Sequence, residues 1–125
     1  MARILLVDDQ EYIRLYYREA LSEEGHEVFT FGSGHNLLRM IDFLQPEVVI
    51  LDIRLVDYDG LELLQDIRKR FYDLPVVLCT AYDTYKYDEK ATAADSYVIK
   101  SFDLSELKTA IHRAIEADTS IRITS

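Results

Sequence analysis

Asp8, Asp9, Asp52, Thr80 and Lys100 are the residues of this chain whose types could do chemistry together. Each follows a short apolar run. Ile4-Leu5-Leu6-Val7 precedes Asp8-Asp9, Val48-Val49-Ile50-Leu51 precedes Asp52, Val76-Val77-Leu78-Cys79 precedes Thr80, and Tyr97-Val98-Ile99 precedes Lys100. If these runs are parallel strands of one sheet, their ends share one rim, and parallel α/β sheets bind ligands at that rim. Two carboxylates about 4 Å apart repel by about 4 kcal/mol at an effective dielectric near 20, and Asp52 adds to the repulsion. The cluster needs a cation or a raised pKa. Hard oxygen ligands without histidine or thiolate favour Mg²⁺ over zinc. Asp52 is the candidate nucleophile, since a carboxylate can attack a phosphoryl group and form an acyl phosphate. Phosphoryl transfer needs charge neutralisation more than acid–base help, so Lys100 supplies a cation and Thr80 a hydroxyl donor. Taken singly, each residue has a plainer role: Asp8 or Asp9 as a helix cap, Thr80 as a strand end, Lys100 as a solvated charge. The shared rim is what favours the chemical reading.

The elements that must position these groups follow from pattern. Runs rich in Val, Ile and Leu alternate with segments of helical period, which reads as βαβ units around a parallel sheet. The strand runs carry almost no polar residues, as expected of strands covered on both faces. A first helix is expected over Glu11–Glu24, with Ile13, Tyr17, Ala20 and Leu21 inward and Gly25 as its left-handed stop. Glu27–Phe31 reads as a further strand. Asn36–Leu44 reads as a helix with Leu37, Leu38, Ile41 and Leu44 on one face, and Gly60–Phe71 as another with Leu64, Ile67 and Phe71 inward. The last helix starts near Asp103, where Asp103-Leu104-Ser105-Glu106 has the shape of a capping box, and its stripe is Leu104, Leu107, Ile111, Ala114 and Ile115. Between Thr80 and Tyr97 only Asp88–Ala94 looks helical. Residues 118–125 read as a frayed end.

Composition narrows the rest. The chain has 125 residues, 49% of them apolar, which fits one domain with a sizeable core. The net charge is −9, from 14 basic and 23 acidic residues, which argues against nonspecific binding to nucleic acid or an anionic membrane. The lone Cys79 lies in an apolar run, reads as a buried thiol, and allows no internal disulfide. No segment reaches the length of a membrane span and the N-terminus does not read as a signal peptide, so a cytoplasmic location is expected.

These residues resemble the receiver domain of bacterial two-component response regulators. The resemblance covers about Arg3 to Ala117. It rests on the strand-end residues above, on Asp59-Gly60, on Thr80-Ala81, and on Ala94-Asp95-Ser96-Tyr97-Val98-Ile99-Lys100. It implies an α/β, doubly wound (βα)5 fold of flavodoxin-like type with strand order 2-1-3-4-5, a receiver domain over residues 1–119 and a tail over 120–125. It implies that Asp52 accepts a phosphoryl group from a phosphohistidine on a sensor histidine kinase or a histidine phosphotransfer domain. It implies further that Asp9, Asp52 and the Arg54 main-chain carbonyl ligate Mg²⁺ directly, with Asp8 helping through water. By the same resemblance, Lys100 and Thr80 are expected to bind phosphoryl oxygens, Ala81 to stay small to leave room, and Tyr97 to be a switch that turns inward as Thr80 moves. The chain would then be a signalling domain with autocatalytic phosphorylation and dephosphorylation, not a turnover enzyme. Its partners are the phosphodonor and a downstream protein target, with room for a phosphorylation-dependent dimer and without direct nucleic-acid or membrane contact. Nothing after the last helix reads as a DNA-binding module, so a stand-alone receiver is favoured over a piece of a longer regulator.

The chain departs from the family pattern in three places. Val56 and Ser101 stand where proline is common. The stretch from Thr80 to Lys100 is about two residues short, so an unusual or shortened fourth helix is expected. Tyr82, Tyr85 and Tyr87 cluster there, either as an output contact or as loose packing. Arg54 and Tyr82, each two residues beyond a site residue, are expected to flank the phosphoryl group and tune its lifetime. Two other classes compete. A small Mg²⁺-dependent phosphatase of haloacid-dehalogenase type would place an Asp-x-Asp pattern on the first strand, where this chain has Asp8-Asp9-Gln10. A flavodoxin-like cofactor binder would need a hydroxyl- and glycine-rich loop where this chain has acids.

Overall fold

The computed structural model describes residues 1–124, with side chains through residue 117. Five parallel strands form one sheet in the order β2-β1-β3-β4-β5. They are β1 (Arg3–Val7), β2 (Glu27–Phe31), β3 (Val48–Leu51), β4 (Val76–Thr80) and β5 (Ser96–Ile99). Four α-helices cover the sheet: α1 (Glu11–Glu23), α2 (Leu37–Leu44), α3 (Gly60–Arg70) and α4 (Ser105–Thr124). In register, Val7 lies beside Leu51, Leu51 beside Leu78, and Leu78 beside Tyr97. The polar residues that follow these runs therefore come out at one edge of the sheet, as the sequence pattern requires.

Alternate residues of the strands feed two cores. Ile4, Leu6, Ile50, Val77 and Cys79 meet Ile13, Tyr17 and Leu21 of α1 and Leu107, Ile111 and Ala114 of α4. Leu5, Val7, Val49, Leu51 and Leu78 meet Leu37 and Ile41 of α2 and Leu61, Leu64 and Ile67 of α3. Burial on both faces explains why the central strands read as unbroken apolar runs. Each fully buried Leu or Ile contributes about 1.5–3 kcal/mol to the fold that holds the rim.

One local detail follows the expectation of an unusual fourth helix, and two others differ from the sequence pattern. The fourth α-helix of a (βα)5 fold is replaced by a single 3-10 turn, Glu89–Ala93. Residues 81–88 carry three tyrosines and a β-branched threonine, and what remains before β5 is too short to sustain an α-helix. The turn is held from α3 instead: Gln65 donates to the Lys90 carbonyl at 2.8 Å, and Arg68 donates to the Ala93 carbonyl at 3.0 and 2.8 Å. The capping box at α4 is only half made. Asp103 Oδ1 accepts from the Ser105 N–H at 2.9 Å, but the Asp103 N–H donates to Ser101 Oγ, not to Glu106. Finally, the backbone of α4 runs on to Thr124, past the expected frayed start at Asp118. No glycine or proline interrupts that stretch. Ser125 lies outside the described residues.

Candidate functional site

The rim is assembled by main-chain hydrogen bonds between neighbouring strand ends. The Asp8 N–H donates to the Phe31 carbonyl at 3.0 Å, the Asp52 N–H to the Val7 carbonyl at 3.0 Å, and the Lys100 N–H to the Thr80 carbonyl at 2.8 Å. Residues that open three crossovers are thereby fixed to the sheet rather than to mobile loops. The turn after β1 is tightened by Asp8 Oδ1, which accepts from the Gln10 N–H at 2.9 Å. This is the local Asx hydrogen bond that aspartate offers a turn.

Glycine decides the turn after β3. Gly60 opens α3, its N–H donates to the Ile53 carbonyl at 2.7 Å, and Asp59 caps the helix by accepting from the Leu61 N–H at 2.9 Å. A Cβ on Gly60 would lie 2.1 Å from the Asp52 carbonyl oxygen and 2.6 Å from the Ile53 Cα. The β3–α3 loop can fold back against the backbone of Asp52 only because that side chain is missing.

The acids and the ammonium meet. Lys100 Nζ lies 2.6 Å from Asp8 Oδ2 and 2.9 Å from Asp52 Oδ2. Carboxylate oxygens of Asp8, Asp9 and Asp52 all lie within 4.8 Å of one another. Asp8 is 2% exposed and Asp52 5%, whereas Asp9 is half-buried and lines the cleft. Burial pushes the Asp52 carboxyl above its ordinary pKa, and Asp8 adds to that, against the opposing pull of Lys100. Burial alone lowers the pKa of Lys100, but its hydrogen bonds and charge pairing with Asp52 and Asp8 outweigh this and hold it above the ordinary lysine value. One ammonium thus faces three carboxylates, and the residual negative charge suits a divalent cation bound through oxygen. The donor set fits Mg²⁺, since neither a histidine nor a thiolate shares the cluster. Cys79 lies just behind it, with burial pushing its thiol up to about 12, so it is a packing residue and not a nucleophile.

The remaining sequence candidates fall around a cleft of about 320 Å³ bounded by Asp9, Asp52, Arg54, Ala81, Tyr82 and Lys100. Thr80 is fully buried at the end of β4, and its Oγ accepts from the Tyr82 N–H at 3.4 Å. The Arg54 guanidinium stacks over the Tyr82 ring, 4.8 Å from its centroid, so these two residues meet beside Asp52. Tyr97 is half-buried against the α2/α3 core and its hydroxyl donates to the Tyr82 carbonyl. Val56 is 88% exposed, so a proline there is not needed to fill space. Sequence reading missed Arg14, whose Nη1 donates to the Asp8 carbonyl at 2.8 Å. It also missed the groove beside the cleft, where Tyr12, Tyr16 and Phe102 surround about 800 Å³. Its only sequence signal is apolar and aromatic residues on the outer face of α1, which an inward-facing stripe does not require.

Comparison with known proteins agrees with this geometry. Residues 4–112 match the response regulator receiver domain family. The regulatory protein AtoC of Escherichia coli is 35% identical over 91% of this chain and 25% of its own length. Sporulation initiation phosphotransferase F of Bacillus subtilis is 29% identical over 89% of this chain and 91% of its own length. Among solved structures, the response regulator protein TrrA of Thermotoga maritima in complex with Mg(2+)-BeF is 41% identical, with a TM-score of 0.88, covering 91% of this chain and 99% of that one. TrrA in complex with histidine kinase ThkA gives a TM-score of 0.86. The chain spans about a quarter of the length of the first curated relatives it matches.

Proposed function

This chain belongs to the response regulator receiver domain family, and on that premise we propose that Asp52 is the residue that accepts a phosphoryl group here, in a Mg²⁺-dependent reaction. The observation that carries the reading is the Lys100 ammonium bridging Asp8 and Asp52 across the rim. The receiver unit is residues 1–119, with 120–125 as a tail. The donor is a phosphohistidine on a sensor histidine kinase or a histidine phosphotransfer domain. An Asp52 carboxylate oxygen attacks phosphorus, the P–N bond breaks, and the imidazole leaves with the electron pair and takes up a proton. Lys100 moves from pairing two carboxylates to pairing the phosphoryl oxygens, and the Thr80 hydroxyl turns to donate to the same group. Asp8, Asp9, Asp52 and the Arg54 carbonyl would hold Mg²⁺, which when bound supplies positive charge against the charge on the transferred group. Tyr97 follows Thr80 and carries the change to the β4–β5 surface, where a downstream protein reads it. The product stays on the protein, so this is signalling and not turnover. A phosphatase is disfavoured because the first strand runs into Asp8-Asp9-Gln10-Glu11, which contains no Asp-x-Asp pattern. Incubation with Mg²⁺ and acetyl phosphate tests the reading: intact mass should rise once, by about 80 Da for HPO₃ on a carboxylate. Equal labelling after removal of the metal by chelation counts against it.

Two smaller expectations arise from the surroundings of Asp52. The Arg54–Tyr82 stack covers one side of the cleft, so Arg54→Ala admits water and shortens the life of the phosphorylated form about threefold or more. Equal decay of wild type and variant, followed by intact mass, refutes this. The aromatic groove shares Gln10, Ala81 and Lys100 with the cleft, and Phe102 at its edge is 91% exposed. An apolar surface opening directly beside Asp52 suits the protein that brings the phosphohistidine. Replacing Tyr12 and Phe102 together by alanine should slow transfer from a phosphohistidine protein about tenfold. Labelling by acetyl phosphate, which needs no such surface, should be unchanged.

A further inference from the structure

We propose that Arg14 is a positioning residue for the metal-binding acids, acting through the main chain rather than by touching metal or phosphate. The inference rests on the Mg²⁺ reading above. The ladder between β1 and β2 ends at Phe31, whose carbonyl accepts from the Asp8 N–H. The next rung would bring a donor from β2 to the Asp8 carbonyl, but the chain has turned away at Gly32. Arg14 of α1 supplies the donor instead, with Nη1 2.8 Å from that oxygen. The Asp8 carbonyl belongs to the peptide that joins Asp8 to Asp9. Holding its oxygen fixes the plane of that peptide, and with it the direction in which Asp9 leaves the strand. A carbonyl at this position also has to be paired in the half-buried rim.

Gly32 gives the second, independent observation. A Cβ there would lie 2.8 Å from Arg14 Nη1 and 3.1 Å from Cζ. The guanidinium therefore occupies the space that any other residue at position 32 would fill. The atoms in the way are the far end of a flexible side chain, and Gly32 does not hold a positive φ. Gly32→Ala can be accommodated by expelling the guanidinium, with Arg14 and its charge still present. The two substitutions separate position from charge.

The probe is Mn²⁺, with the free ion counted by electron paramagnetic resonance, on metal-free wild type, Arg14→Ala, Arg14→Lys and Gly32→Ala. Arg14→Ala and Gly32→Ala should each weaken Mn²⁺ binding about fivefold or more. Arg14→Lys, which keeps one donor on a different stem, should fall between Arg14→Ala and wild type. Thermal unfolding of the metal-free proteins should fall only modestly and alike in Arg14→Ala and Gly32→Ala, since both unpair the same partly buried carbonyl and neither position is in a core. If Gly32→Ala binds Mn²⁺ as wild type does, the positioning role is overturned. If wild type itself binds no Mn²⁺, it is the metal reading that fails, and the two failures are distinct.

Discussion

Asp52→Asn should take up no phosphoryl group from acetyl phosphate or from a phosphohistidine protein, and should fold at least as stably as the wild type. The first half follows from chemistry: an amide oxygen is a poor nucleophile and the resulting product is not an acyl phosphate. The second half follows from the charge balance at the rim. Three carboxylates have oxygens within 4.8 Å of one another, and the one ammonium among them pairs with Asp8 and Asp52. Asparagine keeps the shape of Asp52 and an oxygen for Lys100 to donate to, while removing one like charge. Lys100 remains paired with Asp8, so no buried cation is stranded. At an effective dielectric near 20 the relief is about 1–2 kcal/mol once the lost attraction to Lys100 is offset. Mg²⁺ should in turn raise the wild-type unfolding temperature more than that of the variant, because it stabilises only the state that binds it. Mass spectrometry and thermal unfolding on the same samples check both halves. A variant that is labelled normally moves the acceptor elsewhere, and one that is strongly destabilised shows that Asp52 is structural.

The sheet and the rim were legible in the sequence because burial on both faces leaves a simple signal. Strands such as Ile4-Leu5-Leu6-Val7 have no polar face to confuse the pattern, and Glu27–Phe31 forms a strand with the expected bounds. Gly25 could be read as the stop of α1 because an exposed left-handed position selects glycine for one reason, and its φ is +90°. The short segment from Thr80 to Lys100 announced an altered fourth crossover, but not that Gln65 and Arg68 of α3 would hold a 3-10 turn in its place. That depends on which side chains face it across the fold. The same holds for Arg14. Its hydrogen bond to Asp8 depends on where β2 turns away, and helical periodicity says nothing about a guanidinium reaching back to a carbonyl. Lys100 could be placed on the rim from its strand, but not its choice of Asp8 and Asp52 over the more exposed Asp9.

Gly60→Ala should be the most damaging single-atom addition in the chain, and Gly25→Ala is the control that shows why. Gly25 holds a positive φ with nothing within 4 Å of an added Cβ, so alanine there meets only backbone strain. That costs about 1 kcal/mol. Gly60 has no positive φ, but its added Cβ would lie 2.1 Å from the Asp52 carbonyl oxygen and 2.8 Å from that of Ile53. These are main-chain atoms, fixed by the bonds from the Asp52 N–H to Val7 and from the Gly60 N–H to Ile53. No rotamer relieves the contact, so either α3 moves off the sheet or the Asp52 backbone moves off the rim. Overpacking of this kind costs about 3 kcal/mol or more. It also displaces the acceptor from Lys100, so the folded fraction of Gly60→Ala should be phosphorylated by acetyl phosphate far more slowly than Gly25→Ala. Chemical denaturation gives the stability difference, and labelling normalised to folded protein gives the second. Equal losses for the two alanines mean that the contact with the Asp52 and Ile53 backbone is relieved, and that close approach is not what selects glycine at position 60. A destabilised Gly60→Ala that labels at the wild-type rate means that the loop yields and Asp52 does not.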